Sequence, residues 1–268
     1  MNASRVLFHV KHKPHVVAVA NQKGGVGKTT TAVNLAASLA ALEVPTVLLD
    51  MDPQANASLA FGVDYRTSPT HAYEAMLGRK RLSDLALPTD LPSLTLVPAH
   101  PDLVAAEVEL ANDPERSTLL AQAIEQGGIE AQVIIVDCPP ALGILTVNAL
   151  VAASHVLVPV QCEFYSLDGL ARLLGTIESI RASLNPGLAI LGLLLTLFDR
   201  RTRLSAQVAE EVIAHFGDLV FKTRIPRTVR LAESPSHGKP ILLFDVQSPG
   251  ATAHLELAEE VITRLHLT

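Results

Sequence analysis

Short apolar runs alternate along the chain with longer stretches in which apolar residues recur every three or four positions. The short runs are rich in β-branched residues and predict strands, while the longer stretches have the period of amphipathic helices. Predicted strands cover residues 16–20, 46–49, 94–97, 133–136, 155–160, 190–196 and 220–225. Predicted helices cover residues 29–42, 144–153, 167–184, 205–216 and 252–265, with Ser205 as a helix cap. This order is typical of parallel βα units, so we predict an α/β fold whose mostly parallel, twisted sheet has helices on both faces.

The pattern predicts a single domain over residues 15–268. Residues 64–92 have weaker periodicity and more Pro, Asp, Arg and Thr, which favours a surface excursion over a second domain. Residues 1–14 show no periodicity and are expected to form a flexible tail. A chain of 268 residues is long enough for one large α/β domain.

Composition narrows the class of protein. No apolar run reaches the roughly 20 residues of a membrane-spanning helix, and the basic N-terminus leads into a strand instead of a cleavable signal. We therefore expect a cytoplasmic protein. The two cysteines, Cys138 and Cys162, are too few for a disulfide framework or a zinc cluster and are expected to be small buried hydrophobic residues. A net charge of −6 argues against indiscriminate binding to polyanions but allows a local basic patch.

The first predicted strand ends in the sequence NQKGGVGKTT, residues 21–30, and then enters a helix. This is the context of a phosphate-binding loop, in which glycines let backbone N–H groups surround a polyphosphate. Lys28 would offset the charge of the β- and γ-phosphates, and Thr29 could ligate Mg²⁺. The general pattern has glycine six positions before this lysine, whereas this chain has Gln22 there and an additional lysine, Lys23.

These residues resemble the deviant Walker A group of P-loop ATPases, and most closely its ParA/Soj branch of chromosome- and plasmid-partitioning proteins. The resemblance covers nearly all of the chain after the tail. It implies ATP hydrolysis with slow intrinsic turnover, and an ATP-dependent homodimer in which Lys23 reaches the phosphates held by the partner. The implied ATP-binding residues are Lys23, Gly24, Gly25, Val26, Gly27, Lys28, Thr29 and Thr30.

Two predicted strands deliver carboxylates at their C-terminal ends, where ligands bind in open α/β sheets. Asp50 and Asp52 follow one strand, and Asp137 follows the apolar run of another in the form of a Walker B motif. The resemblance implies that Asp52 positions the attacking water, while Asp50 and Asp137 support Mg²⁺ through water. Lys23, Lys28 and Asp52 are thus the predicted catalytic residues.

Basic residues outnumber acidic ones between Asp199 and Lys239, which predicts a polyanion-binding face. Solvated loop charges are the alternative explanation of that density. The segment resembles the ParA/Soj C-terminal region, in which residues matching Arg201 and Arg230 bind double-stranded DNA without sequence preference. Weaker candidates for the same role are Arg203, Lys222, Arg224 and Arg227. By the same resemblance Pro226 and Thr228 lie near adenine, although the family more often has Asn where Thr228 stands.

The implied function is DNA partitioning. An ATP dimer would coat the nucleoid, and a ParB-like centromere-binding protein would stimulate hydrolysis and release it. A membrane-surface ATPase resembling MinD is the alternative, but the C-terminal segment, residues 256–265, is acidic and an anionic membrane would repel it. A redox partner resembling nitrogenase iron protein would need cysteine ligands for a shared cluster.

Two other features complete the sequence picture. His100, His155 and His237 are separated along the chain, so we predict no histidine metal cluster. The peptide from Phe8 to Lys11 can be encoded by TTT-CAC-GTG-AAA, a perfect inverted repeat. Centromere-like sites of chromosomal relatives have a similar CACGTG-centred repeat, so we hypothesise such a site within the start of the gene, with coincidence as the alternative.

Overall fold

The computed structural model describes residues 13–66, 71–163 and 166–267. The predicted tail lies outside the described residues except for Lys13 and Pro14, and the peptide encoded by the inverted repeat lies wholly outside them.

Eight strands form one sheet in the described part of the chain. They are β1 (His15–Val19), β2 (Thr46–Asp50), β3 (Leu87–Pro88), β4 (Leu94–Val97), β5 (Val133–Asp137), β6 (His155–Gln161), β7 (Ala189–Phe198) and β8 (Val220–Pro226). Their order across the sheet is β3-β4-β2-β5-β1-β6-β7-β8. All pairings are parallel except that of β3, which runs antiparallel to β4 at the sheet edge.

Helices connect the strands and cover the sheet. They are α1 (Lys28–Ala41), α2 (Asn56–Leu59), α3 (Ala72–Met76), α4 (Leu82–Leu85), α5 (Ala106–Glu109), α6 (Leu119–Gln126), α7 (Ile144–Ala152), α8 (Ser166–Ser183), α9 (Arg203–Phe216), α10 (Val229–Glu233), α11 (Ile241–Phe244) and α12 (Pro249–Arg264). Short 3₁₀ segments occupy Pro101–Ala105, Gly217–Leu219 and Ser234–His237. No helix among the described residues combines the length and the apolarity needed to cross a membrane.

Side chains of the central strands alternate between two apolar cores, one on each face of the sheet. In β1, Val16 and Ala18 join the core that includes residues of α7 and α8, whereas Val17 and Val19 join the core built from α1 and α12. The predicted architecture is therefore confirmed, including all seven predicted strands and all five predicted helices.

Two predictions about local structure are wrong. Residues 64–92 are not only a surface excursion, since Ala72, Met76 and Leu85 lie in the core with at most 3% of their surface exposed. Their helices have only four or five residues, too few to show a helical period. The cap of α9 is Thr202, whose hydroxyl accepts the N–H of Ser205, so Ser205 lies inside the first turn instead of before it.

Candidate nucleotide-binding site

The loop between β1 and α1 has the backbone of a phosphate-binding loop. Gly25 and Gly27 have φ values of 74° and 87°, which L-residues with a side chain rarely adopt. A Cβ atom added at Gly24 or Gly25 would meet nothing within 4 Å. The protein's own packing therefore leaves open space beside the loop backbone, in front of the N-terminus of α1, where an anion is favoured.

Side-chain hydrogen bonds of Thr196 and Asn21 anchor this loop to two neighbouring strands. The Thr196 hydroxyl on β7 donates to the Val26 carbonyl at 2.8 Å. Asn21 donates to the Pro159 carbonyl on β6 at 2.7 Å and accepts the N–H of Lys23 at 3.0 Å. Sequence reasoning missed both anchors, since a lone threonine inside an apolar strand carries no motif. They fix the loop against the sheet before any ligand arrives.

Lys28 is buried at the start of α1, with 7% of its surface exposed. Its ammonium donates to the carbonyl of Lys23 at 3.1 Å. Burial lowers the pKa of Lys28, and the nearby charge of Asp137 offsets part of that effect. A buried cation facing an open loop is well suited to a polyphosphate.

The C-terminal ends of β1, β2 and β5 meet at one edge of the sheet. Asp50 and Asp137 are register partners across β2 and β5, and Val19 of β1 is the other partner of Asp137. Both carboxylates are fully buried. Adjacent parallel strands thus bring together the two carboxylates predicted to support a cation.

Asp50 is well hydrogen-bonded. Its Oδ2 accepts the hydroxyl of Ser58 at 2.7 Å and the N–H of the same residue at 2.8 Å, and its Oδ1 accepts the N–H of Asp52. Burial nevertheless raises the pKa of Asp50 to about 6. Ser58 is a further residue that the sequence did not single out. Asp52 itself is 6% exposed and accepts the N–H of Gln54 at 3.0 Å.

Asp137 lacks comparable support. Neither of its buried oxygens accepts a hydrogen bond of normal geometry from the described residues. Burial and then the charge of Asp50 raise the pKa of Asp137, and the neighbouring Thr29 side chain offsets only part of the rise. Buried polar atoms are usually satisfied, so this carboxylate has capacity for an added ligand. Mg²⁺ holding its waters beside Thr29 would fit, because such waters could donate to both oxygens.

The additional lysine, Lys23, is only partly buried and forms an ion pair. Its ammonium lies 3.4 Å from Glu163, with 33% and 47% of the two side chains exposed. Glu163 also accepts the amide of Gln161 at 2.6 Å and lies 3.8 Å from Arg227. Glu163 is another site residue that the sequence analysis missed.

The segment predicted to lie near adenine is tied to the same region through Arg227. Pro226 ends β8, and Arg227 bridges from there to Glu163. The Thr228 hydroxyl caps α10 by accepting the N–H of Leu231 at 3.2 Å. Thr228 therefore has a structural role of its own.

The candidate DNA residues are exposed but not free of acidic partners. Arg201 is 87% exposed and makes two hydrogen bonds to Asp199, at 2.9 and 2.8 Å. Arg230 lies 3.3 Å from Glu233 and 3.2 Å from Asp245, and also over the ring of Phe244. The weaker candidates, Arg203, Lys222, Arg224 and Arg227, are all exposed.

The remaining predictions concern cysteine and histidine. Cys138 and Cys162 are buried free thiols, as expected, and burial raises the pKa of Cys162 to about 11. The ring of His100 stacks on that of His71 at 4.6 Å between centroids, a contact between residues 29 positions apart that the sequence did not indicate. The absence of a histidine metal cluster stays a prediction.

Comparisons with known proteins identify the family of this chain. The family model described as "AAA domain" matches residues 14–190. The chain is 49% identical over 253 residues to the chromosome partitioning protein ParA of Caulobacter vibrioides, covering 93% of this chain and 94% of that protein. It is also 49% identical over 256 residues to the chromosome-partitioning ATPase Soj of Thermus thermophilus, covering 96% and 98%.

A solved structure shows the same architecture. Cobyrinic acid a,c-diamide synthase from Mycobacterium smegmatis, with bound ADP and magnesium, superimposes with a TM-score of 0.83. The two sequences are 36% identical, and the match covers 95% of this chain and 96% of that one.

Proposed function

We propose, from the premise that this chain belongs to the ParA/Soj family of chromosome-partitioning ATPases, that it is an ATP-driven DNA-partitioning switch. ATP would join two copies into a sandwich dimer that binds double-stranded DNA without sequence preference. A ParB-like protein would then stimulate hydrolysis and release the dimer from DNA. Residues 15–268 would form the ATPase domain.

The observation that carries the proposal is a set of buried charges without adequate partners beside an open glycine loop. Lys28 offers a buried cation, and Asp137 offers two buried oxygens that accept no hydrogen bond of normal geometry within the described ranges. A nucleotide polyphosphate with Mg²⁺ complements both at once. The similar synthase was solved with ADP and magnesium, which supports the same ligands here.

Each residue of the site has a role in phosphoryl transfer. Backbone N–H groups of residues 24–30 would hold the phosphates, with Thr29 on Mg²⁺ and with Asp50 and Asp137 holding its waters. Mg²⁺ held there would neutralise charge on the transferred phosphoryl group. Asp52 would orient the attacking water. Slow turnover is in keeping with a switch whose hydrolysis awaits a partner.

The dimer would depend on Lys23. Its side chain is one-third exposed and, among the described residues, forms an ion pair only with a partly exposed carboxylate, so little free energy opposes its transfer to a partner subunit's phosphates. The proposed adenine contacts, Pro226 and Thr228, would lie close to that junction through Arg227.

The DNA-binding face would combine Arg201 and Arg230 with their exposed basic neighbours. Arg201 and Arg230 are each paired with an acidic side chain in the single chain, so their positive charges are partly compensated in one copy. A dimer doubles the face and makes weak phosphate contacts act together. This accounts for DNA binding by a protein with a net charge of −6.

A MinD-like role at a membrane surface is less favoured. In α12 the acidic residues Glu256 and Glu259 are exposed, while Leu257 and Val261 are fully buried against the sheet. The apolar stripe is thus already used by the core and is not available to lipid. We accordingly propose a nucleoid-associated, cytoplasmic protein that does not bind membranes.

Binding to non-specific duplex DNA with no nucleotide, with ADP and with ATP tests this proposal. We expect salt-sensitive binding only with ATP, and its loss in Arg201→Glu/Arg230→Glu without loss of ATP-dependent dimerisation. Arg181→Glu is the matched control, since Arg181 is exposed on α8 outside the basic segment. Binding that ignores nucleotide, or no binding at all, would refute the DNA switch while leaving the ATPase assignment intact.

A further inference from the structure

Three side chains that the proposed function does not use converge beyond the C-terminal end of β4. His71 precedes α3, while His100 and Asp102 begin the 3₁₀ segment Pro101–Ala105. One potential ligand atom from each residue lies within 4.8 Å of the other two. The imidazole rings stack with an interplanar angle of 20°, and Nδ1 of His100 is 3.1 Å from Oδ2 of Asp102.

His71 has an unused nitrogen. It occupies the N-cap position of α3, but its side chain makes no capping hydrogen bond. Its Nδ1 is buried and has no hydrogen-bond partner among the residues that the structure describes. Burial, followed by the charge of His100, lowers the pKa of His71.

His100 and Asp102 are separated by a single residue and are already held together, because the N–H of Asp102 donates to Nδ1 of His100 at 3.2 Å. Their side chains are 25% and 63% exposed, so an ion in solution can reach both. Metal–ligand bonds of about 2.0–2.2 Å bring ligand atoms to roughly 3–3.5 Å of one another. Closing the cluster around an ion therefore requires side-chain movements of about 1 Å, given the same bond lengths.

We propose that His71, His100 and Asp102 bind one divalent transition-metal ion, with water completing its coordination. Two imidazoles and one carboxylate suit Zn²⁺, Co²⁺ or Fe²⁺, whereas Mg²⁺ prefers oxygen ligands alone. The site is thus chemically distinct from the one proposed for Mg²⁺ at the edge of the sheet that carries Asp50, Asp137 and the neighbouring Lys28, which we call the carboxylate edge.

The ion would tie the start of α3 to the loop after β4. His100 directly follows Ala99, whose N–H donates to the Ser58 hydroxyl at 3.0 Å. Ser58 in turn donates to Asp50. The metal would stabilise the loop that supports this hydrogen-bonded carboxylate.

The test is titration of the nucleotide-free, full-length protein with Co²⁺, followed by its visible d–d absorption and by competition with Zn²⁺. We expect one site per chain that excess Mg²⁺ does not displace. His71→Ala, His100→Ala and Asp102→Asn should each weaken binding by at least about tenfold, the smallest loss expected even for residues that only orient ligands. The control is His215→Ala, an exposed histidine on α9.

One further variant and a folding check keep the result decisive. Replacement of His9 and His12 by Ala removes the competing histidines of the N-terminal segment and should leave the site intact. Retained ATP binding shows that each variant is folded, and Asp102→Asn, an exposed change, decides the matter if His71→Ala does not fold. Equal affinity in wild type and Asp102→Asn, or loss of binding only with His9 and His12, would overturn the proposal.

Discussion

The carboxylate edge and the basic C-terminal segment, residues 199–239, differ in how far their charged side chains are buried. At the carboxylate edge, Asp50, Asp137 and Lys28 are buried, and burial is the largest cause of each shift in their pKa values. In the basic segment, Arg201 and Arg230 are more than half exposed and are paired with acidic neighbours. A buried charge without a partner destabilises the folded protein, and a ligand that pairs with it removes that destabilisation. An exposed ion pair changes the stability of the folded protein little.

This contrast separates the two kinds of ligand. The carboxylate edge gains stability from a nucleotide and a metal, because its charges are buried and the oxygens of Asp137 lack hydrogen-bond partners among the described residues. In the basic segment Arg201 and Arg230 are already paired with acidic side chains, so the proposed binding to DNA would come from the sum of many weak contacts. The following predictions test each side of this contrast, from the largest expected effect to the smallest.

Lys28→Ala should abolish measurable nucleotide binding. The substitution removes the only cation described as buried beside the loop, and loss of one partner from a buried charge pair costs about 2–5 kcal/mol. Calorimetric titration with ATP and Mg²⁺ measures the effect, with the exposed Lys80→Ala as control. Unchanged ATP affinity would mean that the buried ammonium of Lys28 does not bind the phosphates.

Asp52→Ala should slow hydrolysis by about 100-fold or more, within the range for groups that handle the reacting proton or water. ATP binding and dimerisation should persist, so the variant would accumulate as an ATP dimer on DNA. Phosphate release and DNA retention measure the two effects. Normal hydrolysis in Asp52→Ala would show that another residue positions the water.

Asp137→Asn should stabilise the nucleotide-free protein by about 1 kcal/mol or more, because the neutral amide removes a charge that burial and the neighbouring Asp50 disfavour. The same change should weaken Mg²⁺-dependent ATP binding, because a carboxylate is lost where the metal's waters are held. Denaturant unfolding with and without Mg²⁺ and nucleotide gives both numbers, with the exposed Asp90→Asn as control. A destabilised nucleotide-free variant would contradict the account of this edge.

The pH dependence of the nucleotide-free protein follows from the same charges. The pKa of Asp50 is raised from 3.8 to about 6, so the folded state holds its proton where the unfolded state has lost it. The stability that this proton provides is fully present below pH 3.8 and is lost as the pH rises through about 6. Unfolding curves between these values should show that decline, and a nucleotide with Mg²⁺ should reduce it.

Site residues that lie in a contiguous motif or at the end of an apolar strand were predictable from the sequence. Glycines and lysines of the loop form a contiguous motif, and Asp50, Asp52 and Asp137 each follow an apolar strand, so their convergence follows from parallel topology. Ser58, Thr196 and Glu163 act through contacts across distant parts of the chain and lie in no pattern. The contact between His71 and His100 could not be predicted for the same reason. The five-residue α3 was too short to show the helical period of apolar residues.

The smallest expected effect belongs to Glu163→Gln. Glu163 connects the two regions, because it forms an ion pair with Lys23 of the phosphate-binding loop and lies 3.8 Å from Arg227 of the basic segment. Lys23 is a site residue, yet it is paired on the surface with Glu163. Since such pairs contribute about 0–1 kcal/mol, the substitution should change the free energy of unfolding by less than that. Freed from its own chain, Lys23 should favour the ATP dimer by no more than about fivefold, the equivalent of 1 kcal/mol. Sedimentation with ATP measures the shift, and Glu178→Gln, which breaks an exposed pair on α8, should produce none. Loss of the dimer would instead place Glu163 among the contacts of the assembled state, and the ion pair with Lys23 would then be its resting form only.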